Sequence, residues 1–279
     1  MRHAPRPKRR KPKVLATDLD GTLIPLAGNQ RNRTDLESLR VHLAAGGIAL
    51  TFVTGRHLAI VEEAIVQHRL PQPDWIICDV GTSIYRRTAG GWQAVSTYSE
   101  QMASLCTSLP MPRLRGQLPV FEGLALQEEE KQGPYKLSFY VDRRRLDACV
   151  GGISDWLRRR DAPYSLISSA DPLTGAGLID LLPQGVSKAF AVDWWRSHCG
   201  FDQREIVFAG DSGNDWAALT AGYRSIVVAN AERQLAQAVA RHHAEQGWTD
   251  LLHLAVTPAT SGVLEGCRTF GLFDPTASS

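Results

Sequence analysis

No stretch of this chain holds the roughly 18 uninterrupted apolar residues that a membrane-spanning helix needs. Its basic start is not followed by the apolar run of a secretion signal either. A membrane partner is therefore not expected, and a cytoplasmic location is. Cysteine is scarce: Cys78, Cys106, Cys149, Cys199 and Cys267 are odd in number, scattered, and never form a C-x-x-C pair. That pattern excludes a disulfide framework and a cysteine-ligated zinc site, and leaves reduced packing residues. Acids are absent from the first 13 positions, which hold Arg2, Arg6, Lys8, Arg9, Arg10, Lys11 and Lys13. The remainder carries 24 of the 31 basic residues against all 29 acids, so a body of about −5 lies behind the formal net charge of +2. Residues 1–13 are read as a disordered, solvated basic arm. Nucleic acid is not expected as a partner, and no internal repeat is present.

What the chain does have is enough apolar material for a sizeable core, 43% of 279 residues. After the arm, strand-like runs alternate with helix-like segments, which predicts right-handed βαβ units and a parallel sheet. Strands are expected at Val14–Thr17, Ile48–Val53 and Trp75–Cys78. Between the first two, Thr34-Asp35-Leu36-Glu37 forms a capping box, and Leu36, Leu39 and Leu43 give the helix behind it an apolar stripe. A second helix is expected from His57 to Gln67. From Thr82 to Lys188 lie about 105 residues, far beyond the roughly 12 to 15 of an unstructured connection. That span predicts an inserted α+β unit, with strands at Val120–Leu126, Tyr135–Val141, Tyr164–Ile167 and Leu178–Leu182 and a helix from Leu146 to Arg160. The expected division is a core of 14–97 plus 180–279 and an insert of 98–179. Hinges are expected near Ala94–Tyr98 and Leu182–Ser187. The core resumes with a helix capped by Ser187, strands at Ile206–Ala209 and Ser225–Val228, and a helix from about Glu232.

Four short strings carry the chemistry: Asp18-Leu19-Asp20-Gly21-Thr22, Val53-Thr54-Gly55-Arg56, Lys188, and Gly210-Asp211-Ser212-Gly213-Asn214-Asp215. Asp18 and Asp20 lie two apart where a strand ends, so both side chains can face one crevice. One carboxylate can attack phosphorus while the other protonates the leaving oxygen and then deprotonates water. Asp211 and Asp215, with Asp18 and a backbone carbonyl, supply hard oxygen ligands suited to octahedral Mg²⁺. Thr54 and Gly55 open a helix after a strand, where a hydroxyl and backbone N–H groups bind phosphate oxygens. Lys188 supplies the cation that offsets phosphate and carboxylate charge, and Asn214 joins the phosphate-binding set.

In this order the motifs resemble the haloacid dehalogenase (HAD) superfamily. The resemblance implies a Rossmann-like α/β core of parallel sheet with an inserted cap. It also implies Asp18 as nucleophile, Asp20 as general acid and base, and Thr54 and Lys188 as phosphate ligands. Mg²⁺ would be held by Asp18, the Asp20 carbonyl and Asp211, with Asp215 in support.

Four further segments, Asp79–Tyr85, Tyr135–Asp142, Asp180–Lys188 and Gly262–Gly266, are similar to the sucrose-phosphate phosphatase family, whose cap grips a disaccharide phosphate. One departure is Gly21-Thr22-Leu23, where that family usually has Asn-Thr-Trp; it leaves mannosylfructose phosphate and glucosylglycerol phosphate open as substrates. Arg56, Lys136 and Asp180 are the candidate substrate contacts. Arg56 has a helix carboxylate as its alternative partner, and Lys136 a solvent-facing place on its strand. Two other readings stand beside sugar-phosphate hydrolysis: a sugar phosphomutase, and a regulatory partner of a sugar-phosphate synthase.

Overall fold

The computed structural model describes residues 11–170 and 175–273. Of the basic arm, residues 1–10 lie outside the described residues. Lys13 is already anchored: its N–H donates to the Glu205 carbonyl at 2.8 Å and its ammonium pairs with Glu205 at 2.8 Å.

The chain runs β1 (Val14–Thr17), α1 (Gln30–Gly46), β2 (Ala49–Val53), α2 (Leu58–His68) and β3 (Trp75–Cys78). A hairpin of β4 (Ser83–Thr88) and β5 (Gly91–Ala94) follows, then α3 (Ser96–Leu105) and α4 (Met111–Gln117). Next come β6 (Leu124–Leu126), β7 (Leu137–Val141), α5 (Leu146–Arg159), β8 (Tyr164–Ala170) and β9 (Gly177–Pro183). The last stretch holds α6 (Lys188–Cys199), β10 (Ile206–Gly210), α7 (Trp216–Leu219), β11 (Arg224–Val227), α8 (Arg233–Glu245), β12 (Leu252–Leu254) and α9 (Ala259–Thr269).

Among the described residues the large sheet has the order β12-β11-β10-β1-β2-β3-β4-β5. It is parallel from β12 to β3, and the β4–β5 hairpin extends it antiparallel. Its central strands β11, β10, β1, β2 and β3 are buried on both faces, because alternate residues of one strand enter different cores: Leu15 one, Val14 and Ala16 the other. From β1 the chain first builds outward through β2 and β3, then returns to build the other way through β10. The carboxyl ends of β1, β2 and β10 thus flank the topological switch, where such sheets bind ligands.

The second sheet, β6-β7-β9-β8, is antiparallel. Leu137, Phe139, Val141, Ile179 and Leu181 pack on Cys149, Ile153, Trp156 and Leu157 of α5. By alternation Ser138 and Asp180, which pair across the strands, belong to the opposite face, as does Leu182, whose side chain joins a core of the large sheet.

Several expectations are corrected in position. α1 begins at Gln30, with the Asn29 side chain accepting from Asn32 N–H at 3.1 Å, so Thr34 to Glu37 lie inside the helix and form no capping box. The β4–β5 hairpin belongs to the large sheet, inside the expected core of 14–97. Tyr98 and Met102 of α3 are buried under the large sheet, with Tyr98 Oη donating to the Gly81 carbonyl at 2.5 Å, so the first crossing falls beyond Tyr98. Residues 180–183 are the second half of β9, because its ladder to β7 and β8 continues to Leu181 and Pro183. No helix among the described residues is long and apolar enough to cross a membrane.

Candidate active site

Asp18 follows β1 directly, and its N–H continues the sheet ladder to the Ala209 carbonyl at 2.9 Å. The chain then turns sharply through Gly21, at φ +70°. A Cβ there would lie 2.3 Å from Asp211 Oδ2, so this position demands glycine for both conformation and space. Thr22 Oγ1 donates to Asp211 Oδ1 at 2.8 Å, tying the first acidic string to the last across 189 residues. The turn is also held from outside. Asn230 Nδ2 donates to the Gly21 carbonyl at 2.8 Å, Asn230 Oδ1 accepts from Ala259 N–H at 2.8 Å, and Thr260 Oγ1 donates to the Leu23 carbonyl at 2.6 Å.

Lys188, fully buried at the start of α6, sits between two carboxylates: Asp18 Oδ1 at 3.0 Å and Asp215 Oδ1 at 2.7 Å. Burial alone would lower its pKa, and the two carboxylates outweigh that and raise it. The other oxygen of Asp215 accepts from Asp211 N–H at 3.1 Å and Ser212 N–H at 3.0 Å. Asp215 therefore shapes the loop and orients the lysine. Gly210 is required beside it, since a Cβ there would come 2.6 Å from the carboxyl carbon.

Burial, opposed by Lys188 and reinforced by Asp215 and Asp211, holds the Asp18 carboxyl well above the usual carboxylate range. Burial and the neighbouring Asp215 push Asp211 up to about 7. Asp18, Asp211 and Asp215 each offer an oxygen within 4.8 Å of the others. Three carboxyl groups thus cluster around the single ammonium of Lys188, which contacts two of them. Oxygen donors with unmet negative charge are the donor set of a hard divalent cation, so these residues fit Mg²⁺.

Thr54 follows β2 and is fully buried. Its Oγ1 accepts from Arg56 N–H at 3.2 Å, which leaves the hydroxyl proton free to donate. Asn214 lies beside Gly55: a Cβ on Gly55 would be 3.9 Å from Asn214 Nδ2. Arg56 holds Asp20 in a two-pronged pair, Nε to Oδ2 at 2.7 Å and Nη2 to Oδ1 at 2.5 Å. The guanidinium thus pairs with the second acid of the first motif, and no carboxylate of its own helix is needed. Both groups line a cleft of about 1420 Å³ together with Gly21, Asp211, Ser168 and Ser169. The two serines come from β8, so the second sheet closes one wall of that cleft.

Lys136 and Asp180 are both buried, at 4% and 8% exposure: Asp180 lies on the face of β9 opposite Ile179 and Leu181, and Lys136 stands in the turn just before β7. Lys136 Nζ donates to the Gly55 carbonyl at 2.9 Å and pairs with Asp79 Oδ1 at 3.2 Å. Asp180 Oδ1 accepts from Ser138 Oγ at 2.5 Å, a partner on the adjacent strand. Asp79 and Val80 have φ of +54° and +57°. Non-glycine residues in that region cost on the order of 1–3 kcal/mol each, and a β-branched residue there is a marked outlier.

Sequence reasoning did not assign Thr22, Asp79, Asn230 or Thr260 to the site. Thr22 and Asp79 stand inside quoted motifs and were visible; Asn230 and Thr260 carry no local signal.

The strand-end loops around one buried lysine, on this sheet order, define a protein of the HAD fold. The chain matches the sucrose-6F-phosphate phosphohydrolase family over residues 11–271 and belongs to that family. It is 34% identical to a putative HAD-like hydrolase of Nitrosococcus oceani over 82% of this chain, spanning 62% of that protein's length. It is 29% identical to the mannosylfructose-phosphate phosphatase of Agrobacterium fabrum, over 93% of this chain and 97% of that one. It spans 52% of sucrose-phosphatase 1 of Nicotiana tabacum, at 27% identity. The structure of the sucrose-phosphatase of Synechocystis sp. PCC6803, solved with sucrose and phosphate, superposes with a TM-score of 0.76 at 25% identity, covering 94% of this chain and 98% of that one.

Proposed function

We propose that this protein is a Mg²⁺-dependent phosphatase that hydrolyses a phosphorylated disaccharide or a related sugar phosphate through an aspartyl-phosphate intermediate. The observation that carries the reading is Asp18, buried at a strand end between the Lys188 ammonium and the Asp211 carboxylate. An Asp18 oxygen attacks phosphorus, the bond from phosphorus to the sugar oxygen breaks, and Asp20 gives its proton to that oxygen. Water then attacks the phosphorus of the aspartyl-phosphate, Asp20 takes the water proton, and inorganic phosphate leaves with Asp18 restored. Lys188, the Thr54 hydroxyl, the Gly55 loop and Asn214 hold phosphate oxygens during both transfers. Asp20 acts only after exchanging Arg56 for the reacting group, which leaves the guanidinium facing an anionic substrate. Asp18, the Asp20 carbonyl and Asp211 would hold Mg²⁺, which would supply the positive charge that offsets an anionic nucleophile and an anionic phosphoryl group.

The second sheet with α5 is the cap that selects the sugar, supported by the place of β8 on the cleft wall. The end-to-end likeness to the mannosylfructose-phosphate phosphatase makes mannosylfructose phosphate the second candidate beside sucrose phosphate. A sugar-phosphate synthase is a candidate partner, supported by likeness to a 31% share of the glucosylglycerol-phosphate synthase of Pseudomonas anguilliseptica. Five unpaired cysteines support action in a reducing compartment, the cytoplasm. The test is phosphate release with Mg²⁺ from sucrose, mannosylfructose, glucosylglycerol and trehalose phosphates. Turnover of nucleotides or phosphoproteins alone overturns the substrate class, and retention of phosphate on the sugar points to a mutase.

Two results are expected here. Asp20→Asn should slow both transfers by about a hundredfold or more, the usual range for a general acid and base, with little change in substrate affinity. Burst kinetics separate the two steps, and no change in either moves the role elsewhere. The second concerns Asp211, whose carboxyl keeps its proton up to about pH 7. Mg²⁺ must displace that proton, so apparent Mg²⁺ affinity should strengthen as pH rises through about 7. Asp211→Ala should raise the Mg²⁺ requirement. It should not unfold the protein, because a carboxyl whose folded pKa lies above its unfolded one loses stability as pH rises between the two. A Mg²⁺ midpoint independent of pH and unmoved by Asp211→Ala would assign this carboxylate to loop structure alone.

A further inference from the structure

The loop Thr54-Gly55-Arg56 has all three of its carbonyls tied down, two by one backbone turn and one by a side chain. Thr54 O accepts from Val80 N–H at 3.0 Å and Arg56 O from Asp79 N–H at 3.0 Å, both from the turn after β3. Gly55 O accepts from Lys136 Nζ at 2.9 Å, a side chain that arrives from the second sheet, 81 residues away. A trans peptide points its C=O and the following N–H in opposite directions. Drawing the Gly55 carbonyl toward Lys136 therefore aims Arg56 N–H the other way, and that N–H is the group donating to Thr54 Oγ1 at 3.2 Å. The direction of the Thr54 hydroxyl, which must offer its proton to a phosphate oxygen, follows from where Lys136 stands.

Lys136 is itself fixed. Its backbone closes a tight turn with Gly133, N–H to carbonyl at 3.1 and 3.3 Å in the two directions. That turn lies beside Asp79: a Cβ on Gly133 would be in ordinary van der Waals contact with the Asp79 carboxyl carbon, at 3.5 Å. The Asp79 turn also supports the lysine of the site, for a Cβ on Gly81 would be 2.4 Å from the Ser187 carbonyl, one residue before Lys188.

We infer that Lys136, paired with Asp79, is a positioning residue through which seating of the second sheet orients the Gly55 peptide and completes the phosphate-binding loop. Its ammonium is engaged by Gly55 O and Asp79, so it acts on phosphate through the loop and not as a sugar ligand. The inference deepens the reading of this site as a phosphate-ester site and rests on it.

The test uses the full chain with Mg²⁺ and two probes that carry no sugar, inorganic phosphate and p-nitrophenyl phosphate. Lys136→Met should weaken inorganic phosphate, read by calorimetry, by roughly tenfold, the size expected for losing one charge-assisted hydrogen bond. It should cut turnover of p-nitrophenyl phosphate and of a sugar phosphate by the same factor, and Lys136→Arg should recover part of both. The double variant Lys136→Met/Asp79→Asn has no unpaired buried charge, should fold even if Lys136→Met does not, and should show the same weakened phosphate binding. Unchanged phosphate affinity in the folded variants, or a loss confined to KM for sugar phosphates, overturns the inference and makes Lys136 a sugar contact. A parent protein that binds phosphate but hydrolyses none of the esters overturns the reaction instead, and leaves the calorimetric comparison to decide on Lys136.

Discussion

Asp18→Asn should abolish turnover, by a factor on the order of 10⁴ or more, while the protein stays folded. The substitution removes the attacking oxygen's charge and leaves the side-chain shape nearly unchanged, so the loss falls on the chemical step, as for other deleted nucleophiles. Stability should not suffer. The Asp18 carboxyl is held well above the usual carboxylate range, by burial above all, so its ionised form opposes folding between its unfolded and folded pKa values. Lys188 keeps its 2.7 Å partner Asp215 in the variant. Phosphate-release assays beside thermal melts check both halves. Activity within tenfold of the parent would end the aspartyl-phosphate mechanism.

Lys188→Met is expected to have the largest effect on the fold. The side chain is fully buried and lies between Asp18 and Asp215, so its removal leaves two buried carboxylates without their cation. Breaking a buried ion pair from one side costs roughly 3–5 kcal/mol. The loss should depend on pH with a definite sign. Without the ammonium, which opposes the effect of burial on Asp18, that carboxyl is pushed further above the usual range, so the variant should be least stable at high pH and recover as the pH falls and Asp18 protonates. Mg²⁺ should restore part of the stability by supplying the missing positive charge, but not the phosphate contact. Urea titrations at two pH values, with and without Mg²⁺, measure this. A variant as stable as the parent at alkaline pH would mean that the three-residue charge cluster contributes nothing net.

Both predictions rest on residues whose types and places were legible in the sequence, because the signals that mark them are local. Val14–Thr17 and Ile206–Gly210 are short apolar strands, and an Asp-rich, Gly-containing turn after each one is a statement about adjacent residues alone. The Ser187 cap of α6 was equally local, and its side chain does accept from Phe190 N–H at 3.2 Å. Where local signals competed, reading failed. Thr34 to Glu37 has the composition of a capping box, yet Asn29 caps the helix, because Asn32 is drawn inward to the Pro258 carbonyl at 3.0 Å and Ser261 at 2.8 Å. That contact pulls the helix start one turn earlier, and nothing near residue 30 announces it.

The side chains that meet at the strand ends, then, were determined by the sequence itself: which carboxylates, which lysine, and after which strands. Tertiary structure alone decided the partners. Arg56 with Asp20, Thr22 with Asp211, Lys136 with Asp79 and Gly55, and Asn230 with Gly21 are separated by 36 to 209 residues. Such pairs form because β2 and β10 flank β1 and the second sheet lies over their ends. Sheet order and the seating of one sheet on another follow from how whole faces bury their apolar surface, a balance summed over dozens of side chains. No short string of residues encodes it.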